Sequence, residues 1–135
     1  MRHSPYESEY AAVQTMSDTQ RLEYFMSRVF EAEEVWFLNT RAGKHLRPVE
    51  NSHTYIVWPY KRFATEAALD HWQDAHPSSC SLEYFMDQTL EELIAEDITL
   101  DVMPRGEQPG CLINPARLRA ILQGMIDAGE YRLDS

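Results

Sequence analysis

The densest group of side chains able to do chemistry is Asp70-His71 with Asp74 and His76. Imidazole and carboxylate together suggest zinc, which needs two or three ligands on one face and a further carboxylate behind an imidazole. On a helix Asp70 and Asp74 are four apart and share a face, whereas His71 points elsewhere and His76 falls where Pro77 breaks the helix. The His-Glu-x-x-His spacing and a second Cys/His cluster are both absent. The set therefore reads as a solvated helix face, and no metal or other cofactor is expected. Cys80 with His71 or His76 is the one arrangement of nucleophile and base close in sequence, and it lacks a third group to orient the base. Gly-x-Ser-x-Gly, the P-loop and Gly-x-Gly-x-x-Gly do not occur, so acyl hydrolysis, nucleotide hydrolysis and dinucleotide redox chemistry lack their local signatures.

Two other features could bind rather than react. Trp58-Pro59-Tyr60-Lys61-Arg62 follows an apolar run and combines aromatic with cationic groups at a strand end. Such a loop can line a ligand pocket or anchor a partner. The favoured reading is that Trp58 and Phe63 close the core while Lys61 and Arg62 stay wet. The second feature is charge. The net charge is −10, and between Phe63 and Pro104 there is no Lys or Arg but ten acids: Glu66, Asp70, Asp74, Glu83, Asp87, Glu91, Glu92, Glu96, Asp97 and Asp101. That segment carries the whole imbalance. Glu83, Asp87 and Glu91 recur every four residues, about 6 Å apart along a helix axis, where like charges repel. Glu96 and Asp97 fall at the negative end of the same helix. Solubility accounts for the distribution. The sharper reading is a docking face for a basic protein partner, since complementary charge steers encounter and sets register. A cationic toxin or nuclease is one such partner, which would make this an immunity or inhibitor protein. Direct nucleic-acid binding is disfavoured, because it needs the opposite field.

These residues need a scaffold, and 135 residues supply one domain's worth of chain, enough to bury a core without staples. No apolar run reaches membrane-spanning length, and Met1 to Glu7 lack a signal-peptide stretch, so a cytoplasmic protein is expected. Cys80 and Cys111 make no framework; a single disulfide stays open, though a reducing compartment is expected. Residues 1–16 read as a mobile arm or loosely docked helix, and 17–135 as a single domain. Ser17-Asp18-Thr19-Gln20 is a capping box, followed by Leu22, Phe25, Met26 and Val29 on one helical face. Val35–Leu38 reads as an interior strand, and Tyr55–Trp58 as another that Pro59 stops. Thr65 caps a helix running to about Ala75, which His76-Pro77-Ser78-Ser79 ends. Ser81 caps the next helix, with Leu82, Phe85, Met86, Leu90, Leu93 and Ile94 inward. Ile98, Leu100 and Val102 alternate with polar residues as a half-exposed strand. Cys111–Ile113 is a short strand, and Asn114-Pro115 opens a last helix closed by Gly129. The expected fold is α+β, a mixed sheet of about four or five strands against about four helices.

Leu22-Glu23-Tyr24-Phe25-Met26 recurs as Leu82-Glu83-Tyr84-Phe85-Met86. The identity stops after five residues, so similar packing is the simpler account than duplication. From about Asp18 to Tyr131 the chain resembles a small bacterial family, Domain of Unknown Function 2750. The resemblance rests on Glu34-Val35-Trp36-Phe37-Leu38, on Tyr55-Ile56-Val57-Trp58-Pro59 leading into Tyr60-Lys61-Arg62-Phe63-Ala64, and on Trp72; residues 1–16 have no counterpart in it. The order of elements is also similar to the N-terminal domain of the enhanced-serine-sensitivity proteins, through Phe63-Ala64-Thr65 and Asn114-Pro115. The resemblance implies a fold and a bacterial setting, and it supplies no activity or catalytic residues. The reading is a non-enzymatic acidic binding or regulatory module with Glu83, Asp87 and Glu91 toward a protein partner. The rival is an enzyme or small-ligand binder with a pocket near Trp58, Tyr60 and Cys80.

Overall fold

Ser17 begins the first long helix as its sequence demands. Its hydroxyl accepts from the Gln20 amide at 3.2 Å, and the Gln20 side chain accepts from the Ser17 amide at 2.9 Å. Two of the amides orphaned at a helix start are thereby satisfied. The computed structural model describes residues 7–44, 46–49, 52–70, 72, 74–104 and 109–128, excepting the side chains of Lys44, Pro48, Ser52, Leu69 and Asp70. His71, the Asp70 side chain and Gly129 lie outside the described residues.

The described chain runs through α1 (Glu7–Val13), α2 (Asp18–Ala32), β1 (Glu34–Thr40), β2 (Gly43–Lys44), β3 (Leu46–Val49), β4 (Ser52–Trp58) and α3 (Lys61–Asp70). There follow β5 (His76–Ser81), α4 (Leu82–Tyr84), a π-helical turn (Phe85–Thr89), α5 (Leu90–Ala95), β6 (Thr99–Val102), β7 (Cys111–Ile113) and α6 (Pro115–Ala128). This is an α+β fold with one mixed sheet. Its main order is β5-β1-β4-β6-β7, with β4 and β6 parallel and the other neighbours antiparallel. β1 and β4 pair only at Trp36 with Trp58 and at Phe37 with Val57. Beyond that they splay, and β2 on β1 and β3 on β4 fill the gap.

Several elements differ from the sequence expectation, each for a physical reason. His76–Ser81 is a strand rather than a break. It lies at the sheet edge against β1 from Glu34 to Asn39, a position that tolerates Pro77 because the outer side of an edge strand needs no donor. α3 starts at Lys61, four residues before Thr65, since Lys61-Arg62-Phe63-Ala64 are adequate helix formers directly after Pro59-Tyr60. The helix after Ser81 is interrupted by the π turn, in which the Leu90 amide reaches back five residues to the Phe85 carbonyl. β6 is interior rather than half-exposed: Leu100, Asp101 and Val102 are all fully buried between β4 and β7.

The core is one cluster built on Phe25, Val29, Val35, Leu38, the Tyr55–Trp58 run, Phe85, Leu90, Leu93, Leu100, Leu118 and Leu122. The two Leu-Glu-Tyr-Phe-Met segments both contribute to it, yet they are not related by a simple repeat. A translation would make β1 and β6 parallel, whereas β1 is antiparallel to β4 and β4 parallel to β6. A two-fold through the sheet would place β6 at the edge that β7 occupies. Tyr24 is buried while Tyr84 is 54% exposed, so the same five residues serve two different packings.

Candidate functional site

A helix must end abruptly for α2 to feed β1, and Glu33 does this in the left-handed conformation (φ 57°), its amide bonded to the Val29 carbonyl. This corner is fastened to the start of α4 by the Leu82 amide, 3.0 Å from the Glu33 carbonyl. Ser81 caps α4 by accepting from the Tyr84 amide at 3.0 Å. α4, the π turn and the end of α6 then enclose a cleft of about 380 Å³. Leu82, Met86 and Ile126 give it an apolar floor; Glu33, Glu83, Asp87 and Gln123 give it a polar rim. Among the described residues no lysine or arginine lines it. Glu33, Glu83 and Asp87 are all exposed, and none makes an ion pair with another described residue. Met86 and Asp87 belong to the π turn itself, a local widening found frequently at functional sites.

The structure thus brings together two of the three acids expected to face a partner. Glu83 and Asp87 line the cleft, while Glu91 one turn further on is ion-paired with Arg119 of α6. Glu33 and Gln123 were missed by sequence reasoning. They lie far from Glu83 in sequence, and only the αL corner and the packing of α6 bring them to the same rim. Two further acids of the segment are held elsewhere in the fold. The Glu66 carboxylate accepts from the Tyr10 hydroxyl, and Asp101 is buried.

The Trp58 loop turns inward. Trp58 is 2% and Tyr60 1% exposed, so both belong to the core. Lys61 stands 5.8 Å from the Trp36 ring, and Arg62 pairs with Glu7 at 2.9 Å. Cys80 faces the same side of the sheet as its partner Val35, whereas Trp58 faces the side of its partner Trp36. Adjacent strand residues point to opposite faces, so Trp58 and Cys80 share no pocket. Burial pushes the Cys80 thiol up to about 11, partly offset by a hydrogen bond with Thr89; such a thiol is a poor nucleophile at neutral pH. Cys111 is also raised by burial. The two cysteines lie on opposite edge strands, four inter-strand steps or about 19 Å apart, too far for a disulfide. Among the described residues no group of three His, Cys, Asp or Glu side chains is placed to hold a metal ion, and no helix is long and apolar enough to cross a membrane.

A second polar group lies within the fold. Asp101 is fully buried on β6 and pairs with Arg47 of β3 at 2.5 Å, while its other oxygen accepts from the Gly110 amide at 2.7 Å. The Arg47 guanidinium lies 5.3 Å from the Trp72 ring centroid. Desolvation raises the Asp101 pKa above its ordinary value, opposed by the Gly110 amide and by Arg47. Residue 110 must be glycine, because a Cβ would lie 2.1 Å from the Val102 carbonyl oxygen. This group ties β3, β6 and the start of β7 together.

Fold and site together define a small α+β domain with an acidic surface cleft. The chain belongs to the family described as protein of unknown function (DUF2750), whose model matches residues 22–122. Neither the comparison with curated proteins nor that with solved structures finds a match.

Proposed function

We propose that this protein is a non-enzymatic binding module whose acidic cleft receives a lysine or arginine side chain from a basic protein partner. The observation that carries this reading is the convergence of Glu33, Glu83 and Asp87 on one rim above an apolar floor. A long cationic side chain has the complementary shape, an aliphatic stem for Leu82, Met86 and Ile126 and a charged head for the carboxylates. Arginine fits the rim better than lysine, because its planar fork can engage carboxylates and the Gln123 carbonyl at once. The repulsion among these acids is a cost the free protein bears and a cation removes.

The test is a titration of the ¹⁵N-labelled protein with a tetra-arginine peptide, followed by amide shifts. Saturable shifts confined to residues 81–87, Glu33 and 123–126 are expected. They should weaken as added salt shortens the Debye length below about 8 Å, and they should vanish with Glu83→Gln plus Asp87→Asn. Shifts spread equally over Asp74, Glu92, Glu96 and Asp97 would mean generic attraction to negative charge and would defeat the reading.

A further inference from the structure

The family match begins at Leu22, so α1 lies outside it, yet α1 is held on the α2–α3 face by a full set of contacts. A seven-residue helix does not persist alone in water; its seat makes it helical. The Tyr10 ring is stacked on Phe63, with centroids 5.5 Å apart and planes at 11°. Its hydroxyl donates to Glu66, and the Arg62 guanidinium lies 3.7 Å from its centroid. Glu7 pairs with Arg62 at 2.9 Å and Glu9 with Arg28 at 2.6 Å. Val13, three residues after Tyr10, is buried in the core. Beneath Phe63, Tyr24 stands edge-on at 6.3 Å. Tyr24, Arg28, Arg62, Phe63 and Glu66 of the seat lie within the family match; Arg21, whose guanidinium donates to the Val13 carbonyl at 2.8 Å, lies just before it, as does α1.

These contacts divide by role. Ion pairs at the surface add little affinity but select sign and register, whereas a stacked aromatic and a buried aliphatic anchor carry binding. We propose that the α2–α3 face is an interaction surface for a short acidic helix of a partner protein, of the pattern Glu-x-Glu-Tyr-x-x-apolar. α1 is the tethered copy of that ligand, filling the seat at rest. Tethering gives α1 a high effective concentration, so a partner helix binds weakly until α1 is loosened. The surface uses none of the cleft acids and stands or falls separately from the cleft.

The probe is a fluorescein-labelled peptide of residues 7–16, measured by anisotropy against the full-length chain. Wild type should bind it weakly, and the Tyr10→Ala chain at least tenfold more tightly, because its own α1 competes less. In the Tyr10→Ala background, Arg62→Glu should abolish binding, and a Glu7→Lys peptide should recover part of it. Equal affinity of wild type and a folded Tyr10→Ala chain would overturn the proposal. So would a concentration-dependent dimer that the peptide dissociates, since the seat would then belong to α1 of a second copy. If Tyr10→Ala does not fold, hydrogen exchange of wild type decides. Opening of the α1 amides more readily than the core supports a displaceable occupant, and exchange only by global unfolding overturns it.

Discussion

Asp101 and the pair Glu83 and Asp87 come from the same stretch without lysine or arginine, yet the fold treats them in opposite ways. Asp101 is fully buried, bonded to Arg47 and to the Gly110 amide. Glu83 and Asp87 stay wet on the rim of a cleft that no cation lines among the described residues. The first carboxylate is spent on holding β3, β6 and the chain before β7 in place. The other two make no ion pair with a described residue, and like charges four apart on a helix repel. An acidic segment is therefore not an acidic face. Among the described residues, Glu83 and Asp87 are the acids of this segment that line the cleft.

The sharpest way to test the structural half of this contrast is Arg47→Met. It keeps the aliphatic stem and removes the charge, leaving a buried carboxylate without its cation, which typically costs about 3–5 kcal/mol. Chemical denaturation at pH 7 should show that loss. The Asp101 pKa is raised in the folded protein above its ordinary 3.8. A raised carboxylate contributes most below its unfolded pKa, and that contribution is lost as pH rises through the folded value. Without Arg47 the folded value rises further, so the deficit of the variant should shrink on acidification toward pH 4. A deficit independent of pH would mean that Arg47 acts through packing against Trp72 alone. Asp101→Asn should cost less, about 1–3 kcal/mol, because an amide oxygen can still accept from Gly110. It should also flatten this part of the stability–pH curve.

How legible these features were in the sequence follows from the range of the forces involved. Local signals were readable: the Ser17 capping box, the Ser81 and Asn114 caps, and the apolar runs of β1 and β4 all rest on neighbours within a few residues. β5 was hidden because His-Pro-Ser-Ser-Cys-Ser has no strand propensity of its own and is extended only by pairing with β1. Asp101 misled because alternation places an acid on the wet side of a strand, while Arg47, 54 residues earlier, makes burial tolerable. Glu83 and Asp87 could be picked out by their spacing, but that same spacing picked out Glu91, whose charge goes to Arg119. Glu33 read as an unremarkable helix end, and no periodicity relates it to α4 or α6.

The remaining predictions probe the wet half of the contrast, where effects on stability should be small. Glu91→Gln breaks an exposed pair with Arg119, so a loss of no more than about 1 kcal/mol is expected. Glu83→Gln with Asp87→Asn should go the other way. Removing like charges one turn apart relieves a few tenths of a kcal/mol, so the melting temperature should hold or rise slightly while tetra-arginine binding disappears. That opposition is the signature of residues kept for a partner rather than for the fold. If the double variant were instead destabilised by 1 kcal/mol or more, roughly what loss of a real hydrogen bond costs, Glu83 and Asp87 would be structural like Asp101, and the contrast between the two sets of carboxylates would collapse.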